Sequence, residues 1–214
     1  MGRPQLRRHV PLRGANGRRM IIVLMVVAAG VLLALPAAAG AHVDKKYRAE
    51  YTRTLDSYSK QFYRWETGYV NMETMLTDYA DQIRPLIGSA EPNDQAELAA
   101  LEHQAKITHD NQELVMKGWS KTLKTSFEGF RAKGLRWFDS KAERSRFVRQ
   151  ANLMQAYCGI LLTVGAFPCL SQAALMLSNG AVDLATQKFL EAHDWSDTAE
   201  RDFEEALAAL RKMR

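Results

Sequence analysis

The chain has 214 residues, 47% hydrophobic and 25% charged, with two cysteines and a formal net charge of +5. That balance excludes an intrinsically disordered chain and a disulfide-dense miniature, and allows one domain with a sizeable core. The positive excess belongs to residues 1–41, which hold six arginines and no acid. The remainder carries 23 of the 29 Lys and Arg against all 24 Asp and Glu, a net of −1, so the basic balance implies no nucleic-acid partner.

Residues 1–41 read as an export signal. Arg3, Arg7, Arg8, Arg13, Arg18 and Arg19 lead into an unbroken apolar run from Met20 to Leu35, and Pro36 and the small residues of Ala39-Gly40-Ala41 supply a cleavage site. Cutting there frees His42 and leaves 42–214 as a single helical-bundle domain. Sixteen apolar residues fall short of the roughly 20 that span a bilayer, so cleavage is preferred to an uncleaved anchor. Arg18-Arg19-Met20-Ile21-Ile22 also fits a twin-arginine signal. The run's wealth of Leu, Ile and Val favours ordinary unfolded export instead.

The strongest periodic signal follows. Tyr51, Leu55, Tyr58, Phe62, Trp65, Tyr69, Met72, Leu76, Tyr79 and Ile83 succeed one another at alternating steps of four and three. This heptad pattern predicts a helix from Asp44 to Arg84, on the order of 60 Å long, packed lengthwise in a left-handed bundle. Its aromatic members, Tyr51, Tyr58, Phe62, Trp65, Tyr69 and Tyr79, form an interaction seam. Stripes at helical spacing are usually buried, so an intramolecular core is the first reading, and an exposed face for a ligand or another chain the second.

Pro85, Gly88, Ser89 and Pro92 interrupt the pattern, and Asp94 with Glu97 predicts a capped second helix. Its seam runs through Leu98, Leu101, Ala105, Thr108, Gln112, Val115 and Trp119, then Leu123, Phe127 and Phe130, with Gly129 and Gly134 as candidate ends. A third helix is expected from Ser140 with Glu143 as capping partner, carrying Phe147, Ala151 and Met154 inward. A last one is expected from Ser196 or Asp197 with Glu200, presenting Phe203, Leu207 and Leu210. No stretch alternates with period two, so the domain reads as all-α: an elongated helical bundle with a very long first helix and an apolar helical hairpin in its C-terminal half.

That hairpin comes from the uncharged window between Arg149 and Asp183, densest from Cys158 to Leu170. A buried hairpin, a membrane-dipping tongue and a second transmembrane helix compete for it. Ile160, Leu161, Leu162, Val164 and Phe167 are the membrane-contact candidates. Cys158 and Cys169 flank the segment, and in an oxidising compartment the pair suggests a disulfide. A bridge needs Cα atoms within about 7 Å. It therefore requires a pinched loop, with Gly159 closing one helix and Pro168 opening the next.

Charge is segregated: residues 117–149 have a net of +7 and residues 191–205 a net of −6. A solvated face, pairing of the two segments, and a membrane-surface or acidic-partner site are the readings. No phosphate cradle, metalloprotease helix, nucleophile elbow or haem motif occurs. His103 and His109 fall on different helix faces, His109 and Glu113 supply too few ligands for a metal, and His42 would need a second histidine. No catalytic residue, metal site or cofactor is expected. The layout is similar in outline, by architecture alone, to minor pilus components of conjugative secretion systems. The expectation is an exported, non-enzymatic structural or interaction component of the envelope or a secretion assembly, periplasmic or extracellular, with other protein chains as partners and a membrane contact through the apolar segment. A membrane-active helical protein and a small-ligand or metal-binding helical protein are the alternatives.

Overall fold

The structure, a computed structural model, describes residues 43–214. The leader, its cleavage site and His42 lie outside the described residues. A short 3-10 turn, Lys45–Tyr47, is capped by Asp44, whose carboxylate accepts from Lys46 N at 3.1 Å. It opens into α1 (Arg48–Leu86), followed by α2 (Pro92–Trp137), α3 (Lys141–Gly159), α4 (Ala166–Leu177) and α5 (Val182–Arg211). Among the described residues every regular element is helical. The chain is all-α, as its periodicity predicts.

The helices form an antiparallel bundle of four rods, because α3 and α4 run on through a π-helical stretch, Ile160–Val164, as one kinked rod. With 39 residues α1 is about 58 Å long, and with 46 residues α2 is about 69 Å, so the bundle is elongated. Connections of a few residues force neighbouring rods antiparallel.

The heptad stripe of α1 faces inward along its length. Tyr51, Leu55, Phe62, Tyr69, Met72, Leu76 and Ile83 are buried, and Tyr58, Trp65 and Tyr79 are half-buried against the core. At the end where both termini of the described chain meet, rings pack on rings. Tyr51 lies edge-on to Trp137 at 5.2 Å and to Phe138 at 5.8 Å, and Phe147 sits 5.0 Å from Phe130 and 5.7 Å from Trp137. Gly134 permits this closeness: a Cβ there would lie 2.1 Å from the Phe147 ring. Backbone bonds tie the termini into the same end, Val43 N donating to Met213 O at 3.0 Å and Asp44 N to Trp137 O at 3.2 Å.

Several boundaries differ from those the sequence predicts. The second helix starts at Pro92 rather than after an Asp94 cap, since proline at the first helical position is already set to a helical φ. Asp94 sits in the first turn and accepts from Ser89 Oγ at 2.6 Å. Gly129 and Gly134 do not end this helix, which runs on to Trp137. The Ser140–Glu143 capping box forms as expected.

The apolar hairpin exists, but its turn lies elsewhere. The chain does not reverse between Gly159 and Pro168. Gly165 N reaches back to Ile160 O at 3.0 Å, keeping the path helical, and Pro168 falls in the first turn of α4, where no intrahelical donor is missed. The reversal comes at residues 178–181, where Gly180 takes φ +65° and Ala181 N and Gly180 N bond to Met176 O and Leu177 O. This is a Schellman cap that a glycine permits, and α4 and α5 are the arms of the hairpin.

The expected Cys158–Cys169 disulfide is absent: both are free, buried thiols. The helical path between them rises about 1.5 Å per residue, and the pinched loop a bridge requires does not form. The last helix begins at Val182, not at Ser196 or Asp197. Ser196 is buried in mid-helix, where Ala185, Ala192, Ala199 and Ala206 recur every seven residues on the inner face.

Candidate functional site

The bundle is not equally tight everywhere. Below the aromatic end, α1 and α2 part to leave a cleft of about 680 Å³. Its apolar wall is made by Tyr58, Trp65, Trp119 and Leu123, with Arg53 and Lys133 among the polar groups at its edge. Heptad spacing puts Tyr58 and Trp65 on the same flank of α1, beside the most buried line and facing α2.

Tyr58 Oη donates to Ser126 O at 2.8 Å and lies 2.9 Å from Ser126 Oγ, pinning the helices together at one point. The Tyr58 ring also packs 4.6 Å from Phe130 and 4.9 Å from Phe127. Deeper in, Phe167 of α4 lies 4.8 Å from Trp119 and 5.9 Å from Tyr69. Phe167 wedges the helices from inside, and the wall behind Trp119 is therefore fixed.

A smaller recess of about 310 Å³ adjoins the cleft, shares Arg53, Ser57 and Gln61 with it, and adds Lys60 and Arg64. The acids here are already engaged: Glu50 with Arg136 at 3.4 Å and Asp56 with Arg211 at 3.8 Å. Arg53, Lys60, Arg64 and Lys133 have no carboxylate partner among the described residues.

The opposite flank of α1 meets α5 and is acidic. Tyr63 Oη donates to Glu204 Oε1 at 2.5 Å, and that bond, with burial, pushes the phenol up to about 12. Burial raises the Glu66 carboxyl to about 7, helped by Glu200, which shares a hydrogen bond with it, and by Asp197 and Glu204. Three acids of the segment pair along their own helix, Glu191 with Lys188 at 2.5 Å, Asp197 with His193 at 3.7 Å and Asp202 with Arg201 at 2.9 Å.

The other sequence-predicted positions are mostly structural. Of the seam residues, Tyr51, Phe62 and Tyr69 are sealed inside: Tyr51 donates to Leu210 O at 2.8 Å, and Phe62 stacks on Phe203 at 3.9 Å. Tyr69 Oη is buried, and burial, reinforced by the nearby Glu73 carboxylate, holds its phenol well above the usual range. Tyr79 is half-buried against the core. Only Tyr58 and Trp65 line the cleft.

Of the membrane-contact candidates, Leu161, Leu162 and Phe167 are buried and Ile160 is half-buried, while Val164 is 69% exposed. The rod from Lys141 to Leu177 is long and apolar enough to cross a bilayer by length and composition, but 61% of its most apolar stretch is buried inside the bundle. Burial pushes the Cys158 thiol far up, and Cys169 also rises, so both are poor nucleophiles.

His109 serves the fold, its Nδ1 lying 3.0 Å from both Ser171 O and Ser171 Oγ, which links α2 to α4. No group of three or more metal-ligating side chains comes together among the described residues.

The sequence reading missed Arg53, Lys60 and Arg64. Their spacing on the polar flank of α1 is that of any solvated face, and only the parting of α1 from α2 gives it meaning. No protein family, curated protein or solved structure matches the chain.

Proposed function

We propose that this chain is an exported, non-enzymatic helical bundle that serves as a structural or interaction component of the cell envelope or of a secretion assembly. The observation that supports it best is that the stripe of α1 faces into the bundle, with Tyr51, Leu55, Phe62, Tyr69, Met72, Leu76 and Ile83 buried and Tyr58, Trp65 and Tyr79 half-buried against the core. A seam packed mostly inside the chain makes a stiff rod tens of ångströms long, and a stiff rod presents its outer surfaces to other chains at fixed spacing. Export is supported by the arginine-rich, apolar leader.

The test is to express the full sequence in a bacterium, fractionate the cells, and determine the amino terminus and solution shape of the product. A chain beginning at His42 in the extracytoplasmic fraction, helical and elongated in small-angle scattering, is the expected result. An intact amino terminus in the cytosol, or a compact particle, would overturn the reading.

A further inference from the structure

We propose that the cleft between α1 and α2 binds a small anionic amphiphile: an aromatic or polycyclic body against Trp65 and Trp119, with a carboxylate, sulfonate or phosphate held by Arg53 and Lys133. The inference does not depend on export or assembly.

The first argument is shape. At about 680 Å³ the cleft falls within the roughly 300–1,000 Å³ of small-molecule sites, and its wall is preformed. Tyr58 is tied to Ser126, and Trp119 is backed by Phe167. A ligand would not have to order these rings, which lowers the cost of binding.

The second argument is that two indoles stand only half-buried beside an open volume. Neither indole N–H has a protein acceptor among the described residues. An aromatic guest would cover indole surface that is otherwise left to water.

Charge chooses the guest. Among the described residues Arg53, Lys133 and, in the adjoining recess, Lys60 and Arg64 lack carboxylate partners, whereas Glu50 pairs with Arg136 and Asp56 with Arg211. A cation would meet uncompensated like charge, and a neutral hydrocarbon would leave the bases unused. An anionic head gains from them, most where apolar walls exclude water.

The experiment titrates the folded chain with 1-anilinonaphthalene-8-sulfonate and, in parallel, with uncharged N-phenyl-1-naphthylamine. We expect one saturable site for the sulfonate, accompanied by quenching of tryptophan emission and a rise in Tm. Trp119→Leu should weaken both probes at least tenfold. Because that change could loosen the bundle, the second variant is Arg53→Glu/Lys133→Glu, whose changes lie on the cleft's edge. It should weaken the sulfonate about tenfold or more and leave the uncharged probe within twofold. Non-saturable binding, equal weakening of both probes by the charge reversal, or unchanged binding in a natively helical Trp119→Leu would each overturn the proposal.

Discussion

The aromatic end and the α1/α2 cleft are built from the same kind of residue on the same two helices, yet one is sealed and the other open. At the sealed end, rings from α1, α2 and α3 meet edge to face, and Gly134 removes the side chain that would hold α3 away. At the cleft, Trp65 and Trp119 have no such third partner on their outer side among the described residues, and Phe167 reaches between α1 and α2 from within. Aromatic content therefore does not decide whether a seam becomes core. The number of rods that converge on it does.

The largest expected effect lies at the sealed end. Phe147 is fully buried among Tyr51, Phe130, Trp137 and Phe138, so Phe147→Ala should cost about 3–5 kcal/mol in urea unfolding. The half-buried Trp65 leaves less behind when truncated, and Trp65→Ala should cost less than half as much. Equal losses would mean that the cleft is closed in solution and the contrast between the regions is false.

Glycine sharpens the same comparison. Gly134→Ala drives a methyl against the Phe147 ring, which has nowhere to move, and should cost about 1–3 kcal/mol. Gly129, five residues earlier on the same helix, has open space where its Cβ would be. Gly129→Ala should therefore stabilise by about 0.5–1 kcal/mol, the helix-propensity gain alone. Matching signs for the two would show that Gly134 is not a packing glycine. A change smaller than that at Gly134 is expected from Tyr51→Phe, which removes the bond to Leu210 O while keeping the ring; thermal unfolding should register about 1 kcal/mol.

How much of this was legible depends on whether a signal is local. The heptad of α1 and the Ser140 capping box announce themselves, because period and cap chemistry act within a turn or two. The inner face of the first half of α5 did not, although Phe203, Leu207 and Leu210 in its second half did. The repeat of that face is Ala185, Ala192, Ala199 and Ala206, and alanine leaves little contrast between a buried and an exposed face. With that face mute, Ser196 and Glu200 imitated a helix start. The apolar stretch misled for a similar reason: Gly159 and Pro168 are breakers in isolation, but a π turn absorbs the irregularity and proline in a first turn breaks nothing. The cleft is the least local feature. Trp65 and Trp119 were both visible as seam residues, whereas their partial exposure follows from the spacing of two helices that only the assembled bundle sets.

The smallest effect is on the other flank of α1, where Glu66 faces Glu200, Asp197 and Glu204 of α5, with Tyr63 one turn away donating to Glu204. A carboxyl raised to about 7 in the bundle and near 4.3 in the unfolded chain keeps its proton longer when folded. Between those values the native state binds more protons than the unfolded state, so stability falls as pH rises. The loss begins near the unfolded value and is complete once pH has passed about 7. The site is partly open to solvent, which screens it, so the change should be on the order of 1 kcal/mol or less. Glu66→Gln keeps the shape and removes the titration. Between pH 5 and pH 8 the wild-type Tm should drop more than that of the variant, and the variant should be the more stable at pH 8. The cleft lies on the far side of α1, so probe affinity there should not follow this titration. Parallel Tm curves would show that Glu66 ionises as an ordinary surface carboxylate, and that the two flanks of α1 differ in charge sign but not in how closely they are packed.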